Sequence, residues 1–236
     1  LTCKHATICI GNAQESRLRA LNVGNPETIL LREAKLQSPE LDVWDNAATV
    51  YGRRAALTTC ISALEKADES NCLLLMRSAG QPLDLAIDEI SQPALESFQL
   101  QVTLESVEGY GWWQPRPVAK PEGMLLTLFA LRFPDAEIRT QFIDATRSHS
   151  HYCWENEPET QVYGLGIVTS EPQDSYGVKT DDLMVVMICS DDEALAKHRD
   201  DPKHLALGAQ IVGLGIEVEN TFSKTYHLTR HGFLHR

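Results

Sequence analysis

Two stretches of the chain, about half its length apart, carry one pattern. Residues 83–100 read LDLAIDEISQPALESFQL, and residues 193–211 read EALAKHRDDPKHLALGAQI. Each is a short helical run, a polar step ending in proline (Pro93 or Pro202), and a second short run. Each also follows a pair of apolar strand candidates. The spacing predicts two copies of one β/α unit, the second well kept and the first degraded. A repeat of this kind limits architecture before any single residue does.

The second copy is the clearer one. Residues 124–133 (MLLTLFALRF) form an apolar strand candidate stopped by Pro134. Asp135 can open a helix there, its charge suiting the helix dipole. Ile138, Phe142, Ala145, His149 and Tyr152 then recur at steps of four and three, which is one face of an α-helix. The segment ENEPET breaks the pattern, residues 161–169 read as a strand with two glycines, and 171–182 as a loop. Residues 183–189 are a buried strand. Asp191 or Asp192 caps a helix over 193–199, Pro202 starts another short helical turn, and 216–228 alternate as a final strand. The order is β-α-β-β-α-β, the ferredoxin-like split unit.

In the first half, residues 56–64 and 72–77 read as a strand pair across KADESN, 83–98 as helical, and 99–107 as the last strand. Residues 5–10 are the candidate first strand. The stretch 11–51 is longer than one helix needs and predicts an insertion or two helices. The Pro- and Gly-rich stretch 111–123 (GWWQPRPVAKPEG) predicts a domain boundary. The expected organisation is a degenerate domain over 1–112, a linker over 113–123 and a second domain over 124–236. A four-stranded sheet covered by helices on one face leaves its other face apolar. The expected fold is therefore α+β: two ferredoxin-like β-α-β-β-α-β units packed sheet to sheet as a barrel within one chain.

Composition removes several function classes. The 236 residues carry a net charge of −12, and the nearest approach to a basic cluster is Arg53–Arg54. Phosphate backbones require clustered Lys and Arg, so neither nucleic acid nor an anionic membrane is an expected partner. The longest apolar runs are too short to span a bilayer. No basic region followed by a long apolar core marks a signal peptide, although the chain opens on Leu1 and leaves a preceding segment open. The six cysteines form no CxxC and no zinc-type Cys/His spacing, which predicts no metal site and a reducing, cytoplasmic setting. No dinucleotide fingerprint follows a strand, and no nucleophile motif is present.

Two segments of the second half carry a family resemblance. One is Glu157-Pro158 followed by Thr160, Val162 and Tyr163. The other runs from Glu193-Ala-Leu-Ala-Lys-His198 to Pro202-Lys-His204. Over about 124–232 the chain resembles the antibiotic biosynthesis monooxygenase (ABM) family of the dimeric α/β-barrel superfamily. It departs in having Glu159 where that family has Gly. The first half lacks both motifs, with Glu89 standing where His198 does. The tandem arrangement is similar to two-domain members of fungal polyketide pathways. The resemblance implies a small pocket between helices and sheet, used on aromatic polyketides without metal or flavin, so no cofactor is expected. The superfamily's chemistry is varied, and the reaction has to be argued from the site.

Oxygenation without a cofactor requires a base near the working pH, donors for an oxyanion and a dry pocket. Histidine suits the first role. His149 lies on the apolar face of its helix, as a base or as a hydrogen-bonded core residue, with His151 facing away. His198 faces inward and is the second candidate base. The resemblance makes it and His204 often structural, and His204 remains a substrate-binding candidate. Trp154 can wall a pocket or close the core, and Asn156 can orient a carbonyl or simply turn the chain. Tyr163 can donate to substrate or only pack. Gly164 and Gly166, on the opposite face, mark a close approach.

The expected function is oxidation of a polyketide-type phenol by O₂, with a small aromatic substrate and O₂ as partners and a homodimer as one option for assembly. The alternatives are a non-oxidative cyclase, dehydratase or decarboxylase, or a binding module without catalysis.

Overall fold

A computed structural model describes residues 27–36, 57–67, 71–79, 95–113, 122–174 and 176–233. Over these residues it is an α+β fold with a curled antiparallel sheet and few helices. The strands are β1 (Glu27–Leu36), β2 (Leu57–Glu65), β3 (Asn71–Ala79), β4 (Leu95–Ser106), β5 (Leu125–Arg132), β6 (Thr160–Val168), β7 (Gln173–Asp174), β8 (Leu183–Cys189) and β9 (Glu219–Phe233). The helices are α1 (Ala136–Asn156), α2 (Asp192–Asp200) and α3 (Pro202–Gly213). Among the described residues, no helix is long and apolar enough to cross a membrane.

The strand order is β1-β3-β2-β9-β5-β8-β6-β4-β7, and β1 also pairs with β4. That last pairing closes eight strands into a ring, with β7 appended to β4. The C-terminal half contributes β9-β5-β8-β6 and the N-terminal half β4-β1-β3-β2, the same order counted within each half. The halves join along β2–β9, where Ala63 faces Leu228, and along β4–β6, where Leu104 faces Val168. The sequence pictured two sheets face to face. The halves instead continue one another edge to edge, because each leaves two strand edges whose N–H and C=O groups need partners.

Period-two alternation places the core. On β8 every residue is buried. Met184, Val186 and Ile188 enter the ring interior with Leu126, Leu128, Ala130, Ile29 and Leu31. Leu183, Val185, Met187 and Cys189 lie on the outer face, beneath Phe142, Ile143 and Cys153 of α1. Asp135 caps α1, its Oδ1 accepting from Glu137 N and Ile138 N at 2.9 Å each. Asp191 caps α2 by accepting from Ala194 N at 2.8 Å. Asp201 caps α3 by accepting from Lys203 N at 2.7 Å, with Pro202 in the first turn. The predicted short turn after Pro202 is thus a 12-residue helix.

Three further expectations change. Residues 27–36 form a strand where an insertion or helices were expected. ETILLREAKL is rich in helix formers, but Ile29 and Leu31, two apart, both enter the ring, and that burial overrides propensity. Residues 95–98, read as helical, open β4, so the echo breaks there: residues 204–207, their counterparts, are helical. The candidate strand at 5–10 and the region 80–94 lie outside the described residues.

The predicted linker begins as packed structure. Trp112 and Tyr163 exchange backbone bonds, N to O 2.8 Å and 3.1 Å, and Trp112 Nε1 donates to Gln161 O at 2.8 Å. Gly111 precedes them at φ +58°, and a Cβ there would stand 1.9 Å from the Tyr163 carbonyl oxygen. Trp113 is what approaches Gly164, and Leu104 approaches Gly166. Gly111→Ala is expected to cost about 2 kcal/mol or more in urea unfolding, combining a left-handed backbone with a backbone clash. Gly123→Ala, at φ +85° but in open space, should cost about 1 kcal/mol. Equal losses would show that the Tyr163 contact is not limiting.

Candidate functional site

The inner face of α1 carries a ladder of polar groups at helical spacing. His149, Cys153 and Glu157 follow one another at steps of four, the last as the residue that ends the helix. Opposite them stand His198 from α2 and His204 from the first turn of α3. His149 Nε2 lies 3.4 Å from Cys153 Sγ and 3.3 Å from His204 Nδ1. His198 Nδ1 lies 3.8 Å from Cys153 Sγ and donates to Glu157 Oε2 at 2.8 Å. Thr160 Oγ1 donates to the same carboxylate oxygen at 3.0 Å. Tyr152 donates to Asp201 Oδ2 at 2.9 Å, which ties α1 to the α2–α3 junction. The three imidazole rings sit 4.6 to 5.6 Å apart between centroids.

Burial sets the charge states. His149 is pushed down to about 4, first by burial and then by the neighbouring His198 and His204. The same causes lower His204. Burial pushes the Cys153 thiol up, and the Glu157 carboxylate adds to this. Burial also pushes Glu157 upward, but the hydrogen bond and charge of His198 outweigh it and hold the carboxyl below its ordinary value. At neutral pH the cluster is therefore one carboxylate beside a neutral thiol and the neutral imidazoles of His149 and His204.

A cavity of about 300 Å³ opens beside this cluster, between α1, α3 and the outer face of β6 and β8. Phe129, Phe142, Leu165 and Val185 supply apolar wall, and Leu205, Leu207, Gly208 and Ile211 of α3 cover it. Its polar lining is Tyr110, Thr146, Tyr163 and His204. Burial raises Tyr110 to about 12 against its hydrogen bonds with Thr146 and Tyr163. Burial, then Tyr110, raises Tyr163 well above the ordinary phenol value. Both phenols stay protonated as donors.

Of the residues singled out in sequence, Tyr163 and His204 line the cavity. His149 stands directly behind His204, and His198 lies across the cluster. Trp154 is outside the lining and packs edge-on against Trp112, ring centroids 5.1 Å apart. Asn156 is also outside, since its amide donates to Tyr152 O at 2.9 Å and it borders a separate cleft. That cleft, about 360 Å³, is lined by Glu157, Glu159, Asp200 and Asp201 with Lys197. Sequence reasoning missed Cys153, Glu157 as the partner of His198, Tyr110 and Thr146. The step of four from His149 to Cys153 to Glu157 was the available signal.

The cluster also gathers a set of potential metal ligands that the cysteine spacing did not mark. One ligand atom each from His149, Cys153 and His198 lie within 4.8 Å of one another, all three residues buried. Spacing along the chain did not reveal the set because its third member comes from another helix.

No protein-family model matches the chain, and no curated protein matches it. Solved structures do match in fold. A provisionally assigned monooxygenase from Lactobacillus acidophilus superposes with a TM-score of 0.65 at 10% identity, over 89% of this chain and 99% of that one. An anthrone oxidase-like protein gives 0.55 at 11% identity, over 89% and 93%. A ferredoxin-fold protein related to antibiotic biosynthesis monooxygenases, from Listeria monocytogenes, gives 0.50 at 10% identity, over 86% and 94%. At such identities the likeness is one of fold.

The depressed His149 gives a stability prediction for the protein in chelator. A histidine held from 6.5 down to about 4 takes up its proton in the unfolded chain first. Stability is then full above pH 6.5 and falls as pH drops towards 4. Glu157, lowered from 4.5, adds a loss only below that value. His149→Asn should flatten the slope of the urea midpoint between pH 6.5 and 5. An unchanged slope would place the acid sensitivity elsewhere.

Proposed function

We propose that the protein oxidises a compact polycyclic phenol of polyketide type with O₂, without a bound redox cofactor, in the cavity under α3. One observation supports this best: an apolar cavity of about 300 Å³ whose polar lining is two protonated phenols, a threonine and His204, with His149 behind it. That volume is at the low end for small-molecule sites, matching a flat aromatic. The anthrone oxidase-like neighbour shares the fold and motivates the choice of test substrate.

In this reading His204 is the base that touches substrate. With its Nδ1 against His149 Nε2, its Nε2 is left for the ligand. It removes a proton from the acidic ring carbon or enol, and His149 shares the charge. Tyr110, itself accepting from Tyr163, donates to the oxyanion, and the apolar wall strengthens that bond. The electron-rich anion reduces O₂ and is itself oxidised. A ring CH₂ becomes C=O, one oxygen atom enters the product, and the other leaves as water with the two hydrogens. His198, fixed by Glu157, positions His149 and Cys153 rather than touching substrate.

We also take the ring to be two β-α-β-β-α-β units in one chain, with 124–236 as the unit that holds the cavity and 113–123 as the link. The shared strand order of the halves supports this.

Incubation with an anthrone should consume O₂ and yield the quinone. His204→Asn should lower kcat by about 10²-fold or more, the scale of a lost general base. Equal turnover under argon would overturn the oxidative reaction in favour of a cyclase, dehydratase or decarboxylase. Tight binding without turnover would leave a binding module. Gly208→Leu tests the cavity itself. A Cβ there meets nothing within 4 Å, so the backbone has room. The variant should fold, gain helix propensity and raise KM about 10-fold by filling the cavity. An unchanged KM would place the substrate elsewhere.

A further inference from the structure

We propose that His149 Nε2, Cys153 Sγ and His198 Nδ1 form a binding site for one thiophilic divalent cation of the zinc class, with Glu157 or His204 as fourth ligand. Ligand spacing carries the argument. Tetrahedral zinc, with bonds near 2.0–2.1 Å to nitrogen and 2.3 Å to sulfur, sets its ligands about 3.3 Å apart for N···N and about 3.6 Å for N···S. The distances here are 3.4 Å for His149–Cys153, 3.8 Å for Cys153–His198 and 3.3 Å for His149–His204. Three of these atoms, on two helices, lie within 4.8 Å of one another, and His204 of a third helix stands beside them.

Several independent features point the same way. His149, Cys153 and Glu157 share one face of α1 at steps of four, so a single rigid element supplies three of the candidate ligands. Cys153 is fully buried, and His149 and His198 are each 5% exposed. The donors are therefore already dehydrated. Glu157 Oε1 is buried with no hydrogen-bond partner among the described residues, an acceptor left open beside the cluster. The acidic cleft bordered by Glu157, Glu159, Asp200 and Asp201 runs to the same carboxylate and would concentrate cations at its mouth. Nitrogen and sulfur donors favour zinc-class ions over magnesium or calcium.

Binding involves no redox step. The cation forms a bond to Cys153 sulfur, the S–H bond breaks, and the proton leaves to solvent. The imidazoles give lone pairs only. A consequence follows that rests on the function proposed above. The lone pair of His149 that would share the substrate proton is the one a cation takes, so the loaded protein should bind the phenol and fail to turn it over. Metal occupancy then acts as an off-state of the site.

The site is tested without substrate. Protein stripped by chelator is titrated with Zn²⁺ by calorimetry and with Co²⁺ by absorption. One ion per chain and a thiolate-to-cobalt charge-transfer band are expected. Cys153→Ser should remove that band and weaken Zn²⁺ at least about 10-fold, and His198→Gln should weaken it similarly. His151→Asn, altering a histidine outside the cluster, should change neither. Fewer than one ion per chain, no thiolate band, or undiminished affinity in Cys153→Ser would overturn the site. If Zn²⁺ binds as described yet the metal-free protein oxidises no phenol, the function proposed above fails while the site stands.

Discussion

The closure of the sheet at both junctions governs the rest of the molecule. Each half, taken alone, has two strand edges and an apolar face. Pairing β2 with β9 and β4 with β6 removes both liabilities at once. The ring interior then holds one continuous core drawn from both halves, including Ile29, Leu75, Leu104, Leu128 and Val186. A ring so closed resists deformation, because any opening exposes backbone groups along a whole strand. The outer face of β6 and β8 is accordingly a rigid floor, and the helices laid on it can differ in how firmly they are held.

The imidazoles, thiol and cavity described above all lie on that outer layer. The layer holds a deliberate imbalance. Neutral imidazoles and a thiol crowd around one carboxylate, Glu157, which is held ionised by His198 at 2.8 Å although burial opposes it. A carboxylate so placed favours positive charge in the cluster. The base action and the metal capture proposed above would draw on the same unshared electron pairs.

Much of this was legible residue by residue. The run LMVVMIC at 183–189 has no polar position and reads as a strand buried on both faces, which β8 is. The step of three and four through Phe142 and His149 places His149 inward, and it is buried. Gly164 signals a close neighbour, which is Trp113. The failures have physical causes. Residues 27–36 carry helix-forming side chains, yet their backbone completes a ring whose other strands lie far away in sequence. Cys153 goes unmarked because a lone cysteine outside any metal-type spacing is ordinarily filler. Only the arrival of α2 gives it a second imidazole neighbour, His198, beside His149 of its own helix. Trp154 and Asn156 sit at the end of α1, and a shift of one residue in helical phase turns them from the cavity towards Trp112 and the acidic cleft.

Helix α3 has no buried residue, and Leu205, Val212 and Leu214 stand 58% or more exposed. Its start is tied down where Asp201 caps it and also accepts from Tyr152. A segment with so little hydrocarbon contact belongs to the least stable cooperative unit of a protein. An aromatic guest in the cavity beneath would supply the packing that the helix lacks. Association and local ordering would then be one thermodynamic event. Its calorimetric signature is a fall in heat capacity larger than the guest's own surface explains, with the surplus coming from leucines that leave water only when the cavity is filled.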